Sequence, residues 1–374
     1  MVEDRRFIFV VNNNVPLQIE RKMVKMPFLN HLITLSTAAA LTLTPLPEPI
    51  IKERGLAALI GGLMSDAAVM PLHWIYNTNE IKQLVGNGVP EFYKTPSCPF
   101  YKYEKGDSTP YGQQFQVYLQ VGAASKTINP VDVENAYASY YAAAPTYYYK
   151  DESTKEFLAN EANGKHYPNC GGNDNQADAI VHALPVVALL GGKNTSLMLS
   201  AVDAVIRVTQ NTDEGAAFGL AAARIFEYII AYNITGIAAV TQVISDMKNP
   251  NRAQPYSVDA DLASRLQDAI DHLSESNFDY VQRIGQSCDY PNNLQTGAHL
   301  IMQLATRSTD PTSYIDGTRQ TIFAGGDSGS RGFFVGAAQA ATLGSVSQLP
   351  QSWFTQSNEY PTASVNAAKL VANR

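Results

Sequence analysis

Cysteine is scarce in this chain: 374 residues carry three, Cys98, Cys170 and Cys288, far apart and never in a CxxC pair. That spacing excludes a zinc ribbon and a dithiol redox motif, and three thiols cannot all pair within one chain. Reduced cysteines in an intracellular protein are the simpler reading. Charge is also sparse, at 16% of residues, and the positive sign is the rarer: 27 Lys and Arg against 34 Asp and Glu, a net of −7. With no basic stripe, the chain offers no general nucleic-acid surface, although a nucleotide-like small molecule in a local pocket stays compatible. Alternating β-branched runs bounded by hairpin turns are few, and no tandem period or low-complexity tract stands out beyond the cluster Tyr147-Tyr148-Tyr149.

What the chain does have is apolar residues at helical spacing. Hydrophobic residues make up 45% of it, enough to bury a sizeable core, and abundant small residues allow helices to pack closely. Helical patterns run over 50–70, 113–126, 131–144, 176–190, 196–210, 213–232, 235–247, 258–274, 293–306, 312–323 and 330–343. Connections such as Gly191-Gly192-Lys193-Asn194 and Lys248-Asn249-Pro250-Asn251 are rich in turn formers. These features predict an all-α orthogonal multi-helix bundle, a single large domain over residues 50–355, followed by a tail at 356–374.

Residues 1–49 read as an added leader. The stretch from Pro27 to Leu46 has no acidic or basic side chain apart from titratable His31, but its Asn, Thr and Ser content makes it a poor membrane span. Initiation at Met23 or Met26 would turn it into a targeting peptide for an organelle or the secretory route. Three prolines in Pro45-Leu46-Pro47-Glu48-Pro49 end the leader. No membrane contact is expected of the helical domain.

Five segments gather polar groups at predicted helix ends. The first is Gly325-Gly326-Asp327-Ser328-Gly329-Ser330-Arg331, a glycine turn that places an acid and two hydroxyls at a helix start. Free N–H groups and the positive dipole end favour oxygen-rich ligands there, and the plainer reading is an N-cap by Asp327 or Ser328. The second is Ser65-Asp66 followed by Met70-Pro71-Leu72-His73-Trp74-Ile75-Tyr76-Asn77. An ionised Asp66 among apolar residues is costly unless paired, and His73 serves as ligand, base or core histidine. The others are Asp107-Ser108-Thr109-Pro110-Tyr111-Gly112-Gln113-Gln114, Asn169-Cys170-Gly171-Gly172-Asn173-Asp174-Asn175-Gln176-Ala177-Asp178, and Thr209-Gln210-Asn211-Thr212-Asp213-Glu214. Together they predict a polar cleft formed by helix ends.

In this order the segments resemble the ADP-ribosylglycohydrolase family, and within it the J-type lens crystallin branch. Gly61 to Ala67, Met70 to Asn77, Thr109 to Gln114, Val208 to Glu214, Ala324 to Ala341 and Leu349 to Trp353 carry the likeness. The resemblance implies an all-α fold whose cleft holds two magnesium ions on carboxylates and a Thr or Ser hydroxyl. It also implies hydrolysis of a glycosidic bond to ADP-ribose, with an ADP-ribose-like small molecule or an ADP-ribosylated protein as partner. Metal ions would orient the ribose and a water while a carboxylate moves a proton.

The chain departs from the family pattern at the ligands. A Thr-Asp-Asp run becomes Tyr111-Gly112-Gln113, Gly329 stands in place of a second acid, and His73 in place of a carboxylate. Magnesium binds chiefly through carboxylates, so the expectation is a degenerate centre with one weak magnesium on Asp327 and Ser330, or none. Asp327 and Asp174 are the candidate catalytic groups, and Asp66, His73, Tyr111, Gln113 and Asn211 the candidate substrate contacts. Asp66, Asp174 and Asp213 would compensate for the lost acids only by converging on Asp327. Two functions follow: a hydrolase of ADP-ribosyl or related ribosyl linkages, or a catalytically silent nucleotide-ligand binder or crystallin-like structural protein.

Overall fold

Helices begin where the prolines allow it. In the structure, a computed structural model describing residues 43–374, Pro47 is the N-cap of the first helix and Pro49 lies in its first turn, where a missing N–H costs nothing. The helices in chain order are α1 (Glu48–Val69), α2 (Thr78–Val85), α3 (Pro110–Ala124), α4 (Pro130–Ala143), α5 (Glu152–Ala162), α6 (Asp178–Leu190), α7 (Thr195–Ile206) and α8 (Asp213–Tyr232). Next come α9 (Gly236–Met247), α10 (Asp259–Asp271), α11 (Asn277–Ile284), α12 (Asn292–Leu304), α13 (Thr312–Ala324), α14 (Ser328–Leu343), the single turn α15 (Gln351–Phe354) and α16 (Tyr360–Asn373). Among the described residues there is no β-strand, so the all-α expectation holds.

At the centre, α1 and α14 run antiparallel and nearly touch backbone to backbone. A Cβ added to Gly61 would lie 2.2 Å from the Ala340 Cβ, and one added to Gly336 would lie 2.3 Å from the Ser65 Cβ. One turn further, Gly332 faces Val69. Side chains at these positions would force the helices apart. Tyr314 on α13 ties down the pair by donating to the Gly61 carbonyl at 2.6 Å, and Ser65 meets Thr318 at 3.0 Å.

Beside this pair lies α6, apolar apart from Asp178 and His182 and buried from Asp178 to Leu189, as a helix with so little polar surface must be. It is enclosed by α1, α3, α7 and α8. Both α1, with its 3₁₀ extension, and α8 are long and apolar enough to cross a membrane, but each is mostly buried inside the bundle.

The boundaries differ from those expected. Leu46 already donates to Ala231, so the body starts before residue 50. Residues 356–374 are not a tail: α16 packs on α1 and α3 through Ala363, Ala367 and Leu370, and Arg374 pairs with Glu48 at 2.7 Å. Apolar residues at helical spacing explain that packing. The targeting and membrane-span expectations concern residues that, up to Thr42, lie outside those described.

Gly61→Val should lower stability by about 2–3 kcal/mol because the core is overpacked at a backbone contact. Gly55→Ala, whose new Cβ would sit 3.6 Å from Ala188 in ordinary contact, should be neutral or stabilising by up to about 1 kcal/mol. Urea denaturation of the two variants tests the contrast.

Candidate functional site

The antiparallel register brings the C-terminal exit of α1 against the start of α14. After α1 a single 3₁₀ turn, Met70–Leu72, delivers His73. Trp74 then takes a left-handed backbone (φ 67°) and pairs with the opposite loop: Trp74 N–H donates to Gly326 at 2.9 Å, and Gly326 N–H to Ile75 at 2.8 Å. Gly326 itself has φ 61°, and a Cβ there would lie 2.4 Å from the Gln286 carbonyl, so this turn requires glycine.

Asp327 is the N-cap of α14 and is fully buried, so the capping and site readings describe the same side chain. Its Oδ1 accepts from His73 Nε2 at 2.8 Å and, weakly, from Ser330 N–H at 3.3 Å. Its Oδ2 accepts from Ser330 Oγ at 2.5 Å and from Tyr111 Oη at 3.1 Å. His73 Nδ1 meets Tyr101 Oη at 2.7 Å. Burial opposes charge on both partners, yet the Asp327 hydrogen bond and charge lift His73 to about 9, and His73 in turn holds Asp327 below the ordinary carboxylate range. Both shifts favour an imidazolium–carboxylate pair. Arg331, also buried, donates to the Gly325 carbonyl and adds a second positive charge near Asp327.

Magnesium does not fit this arrangement. Such an ion needs carboxylate oxygens free to meet it, and both oxygens of Asp327 are already taken by donors. Two buried cations flank the only acid of the cluster. The places of the missing acids are filled as well: a Cβ on Gly329 would lie 2.9 Å from His73 Nε2, and one on Gly112 would lie 2.2 Å from Asp66 Oδ2. Asp327 and Ser330, expected as metal ligands, bond to each other instead.

The other candidates are distributed as follows. Tyr111 and His73 join Asp327. Asp66 is buried but turned toward the start of α3, accepting from Thr109 N–H at 2.8 Å and Thr109 Oγ1 at 2.5 Å. Burial pushes it up to about 7. Gln113 lies under Tyr103, whose hydroxyl approaches it at 3.4 Å, and it faces no open cleft. Asn211 is exposed, held by Arg207 and the Pro168 carbonyl, and Asp213 is exposed in an ion pair with Arg207 at 2.6 Å. The expected convergence of Asp66, Asp174 and Asp213 on Asp327 therefore does not occur: each has a nearer partner.

Asp174 belongs to a second acidic group that includes Asp151 and Asp178. Asp151 caps α5, accepting from Thr154 N–H at 2.8 Å, and is also held by Gln114. The Ser153 hydroxyl lies 3.0 Å from Asp151 Oδ1 and 2.6 Å from Asp178 Oδ2. One hydroxyl proton cannot serve both acids. Burial, together with the neighbouring Asp151, raises Asp178 well above the usual range, so of the two acids Asp178 is the one that favours a proton. Asp174, pushed up to about 6 by burial and by Asp151, keeps Oδ2 shielded without a hydrogen-bond partner among the described residues; Asp178 Oδ1 is in the same position. Tyr111, bonded to Asp327, also lies toward Asp178 and Asp151, which links the two groups. Asp151, Asp178 and Arg331 were not among the sequence candidates. Asp178 and Arg331 stood inside quoted motifs, but nothing in the pattern distinguished them from helix-capping residues.

A family model described as ADP-ribosylglycohydrolase matches residues 47–374. Crystallin J1B of Tripedalia cystophora is 27% identical over 320 residues, 82% of this chain and 92% of its own length. Crystallin J1A of the same organism is 27% identical over 323 residues with the same coverage. Among solved structures, a chain described as an ADP-ribosylglycohydrolase-related protein complex aligns with a TM-score of 0.59 at 16% identity, covering 87% of this chain and 99% of that one.

Asp66 gives a pH prediction. Its pKa rises from 3.8 unfolded to about 7 folded, so its proton stabilises the fold fully below the unfolded value and that contribution is lost as pH rises through 7. His73, raised from 6.5 to about 9, acts in the same direction at higher pH. The urea midpoint should fall from pH 5 to pH 9. Asp66→Asn, which reproduces the protonated side chain's bonds to Thr109, should flatten the part of the fall below pH 8.

Proposed function

Because the chain belongs to the ADP-ribosylglycohydrolase family, we propose that it is a member without metal-dependent turnover, a stable helical protein in the manner of the crystallins it is similar to. The observation that carries this reading is the His73–Asp327 pair. An imidazolium supplies from within the positive charge that a carboxylate at the start of α14 would otherwise take from a bound cation. Losing acids at positions 112 and 329 removes competing negative charge, and the rings of His73 and Tyr111 occupy the space by Gly329. These substitutions form a consistent set, in which each makes the others tolerable. They favour retention of the architecture over retention of the chemistry.

A second reading rests on the other acidic group. A carboxyl kept protonated by burial beside an ionised neighbour is the arrangement of a general acid for glycosidic cleavage. Asp178, raised by burial beside Asp151, has that character, which supports metal-independent hydrolysis of a ribosyl linkage.

An ADP-ribosylated peptide incubated with the purified protein distinguishes the readings. No release of ADP-ribose above the blank is expected, either in millimolar magnesium or in EDTA. Release that needs magnesium and disappears in Asp327→Ala overturns the proposal. Release that survives EDTA and is lost in Asp178→Asn establishes the second reading. Calorimetry with free ADP-ribose then separates a silent receptor from a purely structural protein. In stability assays, His73→Ala should cost about 3–5 kcal/mol, since it leaves Asp327 buried without its cation.

A further inference from the structure

Glu134 projects from α4, Glu161 from the last turn of α5, and His166 from the loop that follows. Their ligand atoms all lie within 4.8 Å of one another. His166 Nδ1 stands 2.8 Å from Glu134 Oε1 and 3.3 Å from Glu161 Oε1. Donors bound to one tetrahedral zinc at about 2.0–2.2 Å are separated by roughly 3.3 Å, so Nδ1 and the two carboxylate oxygens lie close enough to meet one ion after shifts of a few tenths of an ångström to about one ångström. Glu134 is nearly buried, and its Oε2 is fixed by the Tyr167 N–H at 3.1 Å, which leaves Oε1 aimed at the cluster. Glu161 Oε1 is shielded from solvent and accepts no hydrogen bond among the described residues, although it faces the imidazole. His166 is 68% exposed along its side chain, so one side of the cluster is open for water to complete a shell.

We infer that Glu134, Glu161 and His166 form a binding site for a first-row divalent ion of the zinc type. One imidazole nitrogen with two carboxylates suits zinc and its neighbours, whereas magnesium takes oxygen ligands and dehydrates reluctantly. On binding, the ion replaces the proton on Nδ1, which passes to solvent, and Nε2 keeps the ring's remaining proton. The ion would join α4 and α5 to the connection that runs on through Gly171 and Gly172 to Asp174. Gly172 is held there by exchanging backbone bonds with Thr209 and Asn211. The site thus clamps the segment that carries one of the second group's acids. This inference is independent of whether the cleft turns over any substrate.

Zinc chloride titrated calorimetrically into the EDTA-stripped, buffer-exchanged full chain tests it. Wild type should bind with saturable heat at a stoichiometry that falls by one in His166→Ala, or with an affinity at least about tenfold weaker there and in Glu161→Gln. Zinc should raise the melting temperature of wild type and not of His166→Ala, and excess magnesium should not displace it. His166 is exposed and Glu161 sits at a helix end, so both variants should keep the wild-type circular dichroism. Absence of saturable binding, equal binding by wild type and both variants, or displacement by magnesium would overturn the assignment.

Discussion

The separation between α1 and α14 is set by Gly61, Gly336 and Gly332, each of which receives a side chain of the facing helix, Ala340, Ser65 and Val69 in turn, without adding one of its own. Antiparallel packing at that distance fixes the axial register, because small-residue contacts leave little freedom to slide. Register then decides what meets at the open end. The residue leaving α1 and the cap of α14 arrive within a hydrogen bond of each other, and the paired loops around Trp74 and Gly326 hold them there. Tyr314 and Thr318 on α13 brace the same pair from outside. The ion pair is therefore a product of core packing before it is a feature of any site.

Charge explains the composition of the buried cluster around Asp327. A buried carboxylate at a helix start already receives donors from its own helix, and one more cation nearly completes its requirements. His73 supplies that cation within the chain, and Arg331 overshoots, so the group around Asp327 carries excess positive charge. The second group has the opposite character: two acids share one serine hydroxyl with Asp174 close by, and burial beside Asp151 raises Asp178 well above the usual carboxylate range. Tyr111 stands between a region rich in positive charge and one rich in protonated acid.

Much of the fold was legible from apolar spacing. The patterns at 50–70, 213–232 and 330–343 correspond to α1, α8 and α14, since each is long and nearly uniform in its apolar content. The short helices escaped. α5 is polar over most of its length, and α2 and α11 span only eight residues each, too few for periodicity to show. α16 was missed because the family's closing motif at Trp353 drew the boundary too early. In the site, motif order singled out Asp327, His73 and Tyr111, which do meet. Asp66, Asn211 and Asp213 were grouped with them by residue type, but direction decides: Asp66 turns to Thr109, and the other two to Arg207. Asp151 carried no local signal, because its role arises from a contact with Gln114, 37 positions away, and from sharing Ser153 with Asp178, which sequence spacing does not encode.

Gly61 lies eight residues before Val69, about 12 Å along the helix axis, far from any polar chemistry. Yet the α1–α14 register passes through it. Displacing one helix there by the width of a methyl group would carry the far end along as a rigid rod, stretching a bond that exists only at 2.8 Å. Drift in the apolar interior and drift in the charged pocket are thus mechanically joined, and a lineage that kept these glycines for solidity would preserve the pocket's shape without any selection on what enters it.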